Sequence, residues 1–151
     1  MIKFIKKFNK PIFVSCGTGS NLQIKKCISN FSQFEKKKLK LIHTSLSYED
    51  IDQNLKRIQL LKKLHPQISY GHHYKNYLPL IILIYSEIEY SFIYIKSIDS
   101  KKRVYPDDKH AFSFKSLKKI KKLITESKNL LGSINKRNKH IKTINDEKIL
   151  F

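Results

Sequence analysis

The sequence has 151 residues and a formal net charge of +19, with 31 Lys and Arg against 12 Asp and Glu. That length suits one domain and falls well short of the roughly 250 residues of a closed eight-stranded α/β barrel. The charge alone suggests a nucleic acid or an anionic membrane surface as partner, yet the only Arg residues are Arg57, Arg103 and Arg137. Because Arg is the residue that binds phosphate bidentately, we attribute the Lys excess to compositional bias and expect no nucleic-acid partner.

Cysteine usage and the apolar runs indicate a cytoplasmic protein. Cys16 and Cys27 have neither CxxC spacing nor a partner cluster, so the sequence predicts two buried, reduced thiols rather than a zinc site or a disulfide. The N-terminus is too interrupted by Lys to be a secretory segment. The longest apolar run, residues 77–85, is far shorter than the ~20 residues of a membrane-spanning helix. We therefore expect no membrane association.

The first part of the chain predicts a helix, a strand and a second helix. Residues 2–8 place apolar side chains on one helical face, and Pro11 ends that segment. Residues 12–15 are a short apolar run before Cys-Gly-Thr-Gly, which is typical of a buried parallel strand followed by a tight loop. Ser20 or Asn21 can cap the next helix. The predicted apolar face of that helix comprises Leu22, Ile24, Cys27, Ile28 and Phe31.

A second strand and helix follow. Residues 39–43 are the predicted strand and residues 44–48 its loop, after which Glu49 and Asp50 favour a helix N-terminus through the helix dipole. The helix is predicted over residues 51–64, because the chain then reaches Pro66. Its predicted apolar face comprises Ile51, Leu55, Ile58, Leu61 and Leu64.

Residues 68–74 contain the third predicted strand and the most informative loop. The apolar run stops at Gly71 and then presents two imidazoles, His72 and His73. Neutral imidazoles bind divalent metals, and chemistry on an α/β scaffold usually lies where a buried strand ends. A nearly apolar helix over residues 78–87, predicted to be well buried, comes next.

The last part of the chain predicts a fourth strand over residues 92–95 and a long polar loop over residues 97–112. The final helix is predicted over residues 114–131, with Gly132 as its stop. Its predicted inward positions are Leu117, Ile120, Ile124 and Leu131.

Strand and helix thus alternate four times. This order predicts an α/β fold with a parallel sheet and right-handed crossovers, equal to half of a (β/α)8 TIM barrel. We expect residues 1–132 to form this partial barrel domain. Residues 133–151 are rich in Lys and Asn without periodicity, which predicts a flexible basic tail.

Four motifs, each at a predicted strand end, carry a family resemblance. Lys10-Pro-Ile-Phe-Val-Ser-Cys-Gly17 is similar to the K-P-V-I-L-S-T-G strand of the sialic acid synthase family. Leu41-Ile-His-Thr-Ser-Leu-Ser-Tyr48 is similar to that family's L-L-H-C-T-N-x-Y, and Ile68-Ser-Tyr-Gly-His-His-Tyr74 to its V-G-Y-S-D-H-T. Pro106-Asp-Asp-Lys-His-Ala-Phe-Ser113 resembles P-D-H-K-A-S. The motifs occur in family order, so the resemblance covers about residues 4–135.

The resemblance implies a fold, a reaction and a set of site residues. Members of the family condense phosphoenolpyruvate with N-acetylmannosamine or a related sugar on a (β/α)8 barrel, of which this chain resembles units five to eight. A divalent ion, manganese or magnesium, polarises the sugar aldehyde; the enol carbon attacks, water adds and phosphate leaves. By this resemblance His73 binds the metal, Ser15 contacts phosphate and Tyr48 contacts substrate. Asp107 matches the catalytic carboxylate that holds the sugar hydroxyls.

The chain also departs from the family pattern. The second metal-binding His falls at Ser97, or at Ile95 in a shifted register, and neither replaces an imidazole. His72 is no ready substitute, because adjacent side chains on a strand point to opposite faces. The sequence therefore predicts a weak metal site with one imidazole and no carboxylate partner. Three further positions hold different residues: Leu46 for Asn, Gly71 for Ser and His72 for Asp.

Three functional hypotheses follow. The chain derives from a sialic acid synthase and is truncated and inactive alone, or it is half of a split synthase completed by another chain, or it is a non-catalytic basic module that binds nucleic acid or acidic glycans. A half barrel exposes strand edges and an apolar face, which favours a complementing half-barrel chain or a homo-oligomer. In the synthase hypotheses, Ser15, Tyr48, His73 and Asp107 face one pocket at a common rim.

Overall fold

The computed structural model describes residues 2–96 and 106–132. Four parallel strands form its main sheet in chain order, and the predicted α/β half-barrel arrangement is confirmed. These strands are β1 (Ile12–Ser15), β2 (Leu39–Thr44), β3 (Ile68–Gly71) and β4 (Ser91–Phe92). A second, two-stranded parallel sheet pairs β5 (Ile95–Lys96) with β6 (Phe112–Ser113).

Helices connect the strands. The α-helices of the described residues are α1 (Ile2–Lys6), α2 (Asn21–Ser29), α3 (Gln33–Lys36), α4 (Arg57–Leu64), α5 (Leu78–Ile82) and α6 (Phe114–Leu131). Single turns of 3₁₀-helix occur at Ile51–Gln53, Leu83–Ser86 and Pro106–Lys109. No helix in the described part of the chain is both long enough and apolar enough to cross a membrane.

The hydrophobic core lies between the sheet and these helices. Alternate residues of β2 and β3 point into it, and Ile58 and Leu61 of α4 are fully buried there. Each such side chain contributes about 2 kcal/mol of burial free energy. The strand residues of the core are Leu39, Leu41, Ile68 and Tyr70.

The other face of the sheet is strongly curved. Phe13 lies on edge strand β1 and Phe92 on edge strand β4, with two strands between them. In a flat sheet these strands would be about 14 Å apart, yet the two ring centroids are only 5.2 Å apart. The sheet edges therefore bend toward each other as in a barrel. Both rings remain 40% exposed, because the described residues provide no opposing strands to cover them.

The structure tests three predictions for the N-terminal part of the chain. Ser20 rather than Asn21 caps α2: its Oγ accepts a hydrogen bond from the Gln23 N–H, and the Gln23 Oε1 accepts one from the Ser20 N–H. The predicted inward position of Leu22 is wrong, since that side chain is 76% exposed. Cys16 is a buried free thiol as predicted, whereas Cys27 is only half-buried.

The continuous helix predicted over residues 51–64 is wrong. A 3₁₀ turn ends at Gln53, and Asn54 then adopts a left-handed conformation with φ 39° before α4 begins. The Gln53 amide donates hydrogen bonds to the carbonyls of Ser47 and Glu49, which fixes the preceding loop. Ile51 consequently projects into solvent instead of joining the core.

The helix predicted over residues 78–87 is shorter and less buried than expected. It changes from α5 to a 3₁₀ turn after Ile82, and the chain leaves it at Glu87 with φ 47°. Leu80 and Leu83 are buried, but Tyr85 is 80% exposed. The prediction of a thoroughly buried helix is therefore wrong.

The region between the fourth strand and the last helix is more regular than predicted. Within the predicted loop 97–112, the 3₁₀ turn at Pro106–Lys109 and the start of β6 are ordered, and residues 97–105 lie outside the described residues. The final helix has the predicted bounds, with Ser113 as its N-cap and Gly132 ending it at φ 62°. The predicted tail at 133–151 also lies outside the described residues.

Candidate metal and substrate site at the strand ends

The carboxyl ends of β1, β2 and β3 are held together around Thr44. Thr44 Oγ1 donates a hydrogen bond of 2.8 Å to the Gly71 carbonyl. A Cβ atom at Gly71 would lie 3.0 Å from the Thr44 Cβ, and one at Gly17 would lie 1.9 Å from the Thr44 carbonyl oxygen. The approach at position 17 excludes any side chain, whereas the approach at position 71 is tight but less severe. The loops that leave the three strands therefore start from one compact edge.

The loop after β1 is fixed by a cation from α4. The guanidinium of Arg57 donates a 2.9 Å hydrogen bond to the Gly17 carbonyl and another to the Gly19 carbonyl. These charge-assisted bonds satisfy two loop carbonyls that would otherwise need water. One of the few Arg residues of this chain thus has a structural role in the loop.

Five side chains converge at this edge, and we call them the rim cluster: Tyr48, His73, Tyr94, Asp107 and His110. The rings of His73 and His110 are stacked with centroids 4.0 Å apart. Tyr94 meets both rings edge-on, at 5.4 Å and 4.7 Å. Tyr48 stacks over His73 at 6.5 Å and lies 5.7 Å from His110. Three of the four predicted site residues are therefore neighbours.

Asp107 and His110 are brought together by the 3₁₀ turn. The Asp107 carbonyl accepts hydrogen bonds from the N–H groups of His110 and Ala111, at 3.2 Å and 3.1 Å. Side chains three residues apart eclipse in a 3₁₀-helix, and here His110 Nε2 is 3.8 Å from Asp107 Oδ1. That distance is too long for a hydrogen bond and suits two groups that face a common ligand.

β6 then fixes the turn beside the sheet. The Phe112 N–H donates a 2.8 Å hydrogen bond to the carbonyl of Tyr94, which directly precedes β5, and this places the turn beside the segment between β4 and β5. His110 is consequently 2% exposed. His110 is therefore a member of the rim cluster. The sequence interpretation included it in the P-D-H-K-A-S-like motif but assigned it no role. The D-x-x-H spacing after a proline was the available signal.

Three of the four imidazole nitrogens of the rim cluster are buried without a hydrogen-bond partner among the described residues. They are both ring nitrogens of His110 and Nδ1 of His73. A buried polar atom left without a partner costs about 1–3 kcal/mol. Burial, and then the neighbouring His73, lowers the pKa of His110, with Asp107 opposing that shift. A neutral imidazole is the form that binds metal ions.

His73, Asp107 and His110 meet the basic requirement of a metal centre. Each offers one ligand atom, and these atoms all lie within 4.8 Å of one another. Metal bonds to nitrogen and oxygen are about 2.1 Å long, so two ligands of one ion lie at most about 4.2 Å apart. One ion would therefore hold the three ligand atoms slightly closer together than this 4.8 Å limit. The structure thus places a second imidazole and a carboxylate beside His73, where the sequence predicts one imidazole without a carboxylate partner.

The other candidate residues lie elsewhere. Ser15 is exposed at the end of β1 and, with Cys16 and Cys27, lines a separate cleft of about 220 Å³. His72 turns away from His73 as expected and stacks on Phe112 at 5.0 Å. Burial lowers the pKa of His72 to about 4. The roles of Ser15, Tyr48, His73 and Asp107 in binding and catalysis stay predictions.

Comparison with known proteins places this geometry in context. The sequence profile of the NeuB family matches residues 1–136. An N-acetylneuraminic acid (sialic acid) synthetase from Leptospira borgpetersenii, solved with citrate, superimposes with a TM-score of 0.73 and 24% identity, covering 89% of this chain and 47% of that one. A Chromobacterium violaceum protein described as spore coat polysaccharide biosynthesis protein E gives a TM-score of 0.75 and 15% identity, covering 89% and 41%. No curated protein gives a significant match.

These findings bear on fold and family in different ways. The two solved structures are below 25% identity and support the fold alone, and this chain spans about half their length. The family profile matches residues 1–136, a range that includes every described residue. Its match includes all four motif regions and the rim cluster. The chain therefore belongs to the NeuB family.

Proposed function

We propose that this chain forms one half of a synthase site that condenses phosphoenolpyruvate with an N-acetylated hexose such as N-acetylmannosamine. The observation that carries the proposal is the convergence of Tyr48, His73 and Asp107 at the strand ends of a NeuB-family fold. Active sites of α/β barrels lie at this edge of the sheet. The site combines two imidazoles, a carboxylate and aromatic walls, which suits a polar sugar.

The proposed reaction forms one C–C bond and one C–O bond, the latter from water, and breaks the C–O bond to phosphate. C3 of phosphoenolpyruvate adds to the sugar aldehyde carbon, water adds at C2 of the resulting oxocarbenium, and the C2–O bond breaks to release inorganic phosphate. A divalent ion bound at the rim would supply Lewis-acid polarisation of the aldehyde. Asp107 accepts hydrogen bonds from the sugar hydroxyls, and Tyr48 forms a wall over the site. Ser15 lies outside the rim cluster, at the exposed end of β1 on the same edge of the sheet, and would donate a hydrogen bond to the phosphate from there.

The site also needs a second half-barrel. Phe13 and Phe92 are 40% exposed, and Tyr90 beside them is 46% exposed, so the curved face presents an aromatic patch. In a closed barrel this face is the packed interior. Phosphate-binding lysines of the family also come from the other half. We expect further α/β units, in the same polypeptide or in a partner chain, to cover this face, and we expect the present chain to be inactive alone.

A phosphate-release assay tests the proposal. The chain is mixed with phosphoenolpyruvate, N-acetylmannosamine and Mn²⁺, alone and with a polypeptide that contains strands one to four of a related synthase. We expect release only in the mixture, and its loss with Asp107→Asn but not with Asp52→Asn, a change at an exposed site on the 3₁₀ turn before α4. Turnover by the chain alone would refute the need for a second half. A stable complex without turnover would refute the synthase function.

The basic binding-module alternative has no comparable support. This alternative rests on net charge alone. The described residues contain no cluster of Arg side chains that could form a phosphate-binding surface. Binding to heparin or DNA with a steep salt dependence would revive this hypothesis.

A further inference from the structure

We propose that His110 supplies a metal ligand in this chain, so that His73, His110 and Asp107 together bind one divalent first-row transition-metal ion. The inference concerns metal binding by these side chains. Metal binding itself does not depend on the proposed function; only the role of the ion in the condensation reaction rests on that proposal. The resemblance to sialic acid synthases places the second imidazole after the fourth strand, at Ser97 or Ile95, and gives His110 no role.

The fold explains how an imidazole at position 110 reaches the same point. Ile95 of β5 pairs with Phe112 of β6, so the segment that precedes β6 lies beside the end of the fourth strand. His110 enters that segment at the end of the 3₁₀ turn, and its ring stacks on His73. His110, at the end of the adjoining 3₁₀ turn, would thereby replace the imidazole that the family pattern places after the fourth strand.

Burial without a partner is the second observation. The His110 side chain is fully buried, and neither ring nitrogen has a hydrogen-bond partner among the described residues. Its Nε2 and the Asp107 Oδ1 face each other at 3.8 Å. An ion between them and His73 would satisfy one nitrogen on each imidazole. The second oxygen of Asp107 would stay available to a sugar hydroxyl.

The donor set selects the class of ion. Two imidazoles and one carboxylate suit Zn²⁺, Co²⁺, Fe²⁺ or Mn²⁺. Magnesium prefers an octahedral shell of oxygen ligands and keeps most of its waters. We therefore expect Co²⁺ and Zn²⁺ to bind this chain more tightly than Mg²⁺, without any requirement for substrate or a second half-barrel.

Calorimetric titration and X-ray absorption spectroscopy test the inference on the full chain. We expect one Co²⁺ per chain, at least about 10-fold weaker binding in His110→Gln and in His73→Gln, and no comparable binding of Mg²⁺. The matched control is His65→Gln: His65 precedes β3 at the opposite end of the strand, where its Nε2 lies 2.6 Å from the Leu39 carbonyl. Circular dichroism establishes that each variant is folded.

The absorption spectrum of the unsubstituted chain counts imidazoles directly, so the test does not depend on a folded variant. Two imidazoles on bound Co²⁺ are the expected result. One imidazole, or unchanged Co²⁺ affinity in folded His110→Gln, would overturn the inference. An intact cobalt site in a complemented chain that still releases no phosphate would contradict the proposed function and leave this inference supported.

Discussion

The close approach of Gly17 to Thr44 gives a direct test of how the strand ends are held. A methyl group at position 17 would lie 1.9 Å from the Thr44 carbonyl oxygen, where 3.0 Å is the practical lower limit. The oxygen belongs to backbone at the end of a central strand and cannot rotate away. Gly17→Ala must therefore move β1 and β2 apart by about 1 Å, which costs about 3 kcal/mol of unfolding free energy. For a chain of this size, the midpoint of thermal unfolding falls by about 6–12 °C.

The matched control is Gly19→Ala in the same loop. Its Cβ would lie 3.4 Å from Ile24 Cγ1, which is ordinary contact with a side chain. Thermal unfolding followed by circular dichroism compares the two variants with the parent. We expect a large decrease for Gly17→Ala and a change within about 2 °C for Gly19→Ala. Equal midpoints for the two variants would show that the Thr44 contact does not hold the strand ends.

Three further predictions concern single features of the fold. Burial raises the pKa of the Cys16 thiol to about 11, so maleimide at pH 8 should modify Cys27 much faster than Cys16 in the native chain. The free energy of unfolding should also fall as the pH rises from 9 to 11, because only the thiol of the unfolded chain ionises in that range. An unfolding free energy that does not change with pH would argue against the burial of Cys16. Ser20→Ala removes the α2 cap and should cost about 1 kcal/mol in urea unfolding, whereas an unchanged midpoint would deny the capping box a role. The double change Phe13→Ser with Phe92→Ser should lower the fluorescence of bound anilinonaphthalene sulfonate, and undiminished dye binding would place the apolar patch elsewhere.

Three of the four strands of the main sheet could be predicted because their signals are local. The fourth strand, predicted over residues 92–95, is wrong in its bounds, since the structure divides this stretch between β4 (Ser91–Phe92) and β5 (Ile95–Lys96) of the second sheet. Ile12–Ser15 and Ile68–Gly71 are short apolar runs bounded by loop residues, and the observed strands coincide with them. Parallel order then followed from the alternation of strand and helix. The helix at Phe114–Leu131 was equally clear, since its N-cap and its terminal Gly are sequence signals.

The errors arose where tertiary contacts override helical periodicity. Asn54 takes a left-handed conformation that ends one segment, although the apolar spacing on either side suits a continuous helix. The two-residue strand β6 escaped prediction because its hydrogen bonds run to β5, more than a dozen residues earlier in the chain. Such pairing leaves no periodic signal in a short segment.

The candidate site was predicted only in part for the same reason. Tyr48, His73 and Asp107 each follow a motif, and the fold brings them together. His110 joins them through a 3₁₀ turn whose position depends on the pairing of β6. Ser15 has the family spacing but lines a different cleft.

Anomalous diffraction from a crystal of this chain grown with cobalt shows where the ion binds. We expect one strong peak within about 2.2 Å of a nitrogen of His73, a nitrogen of His110 and an oxygen of Asp107. Cobalt bound at another place, or a rim cluster that stays empty at saturating cobalt, would contradict this expectation.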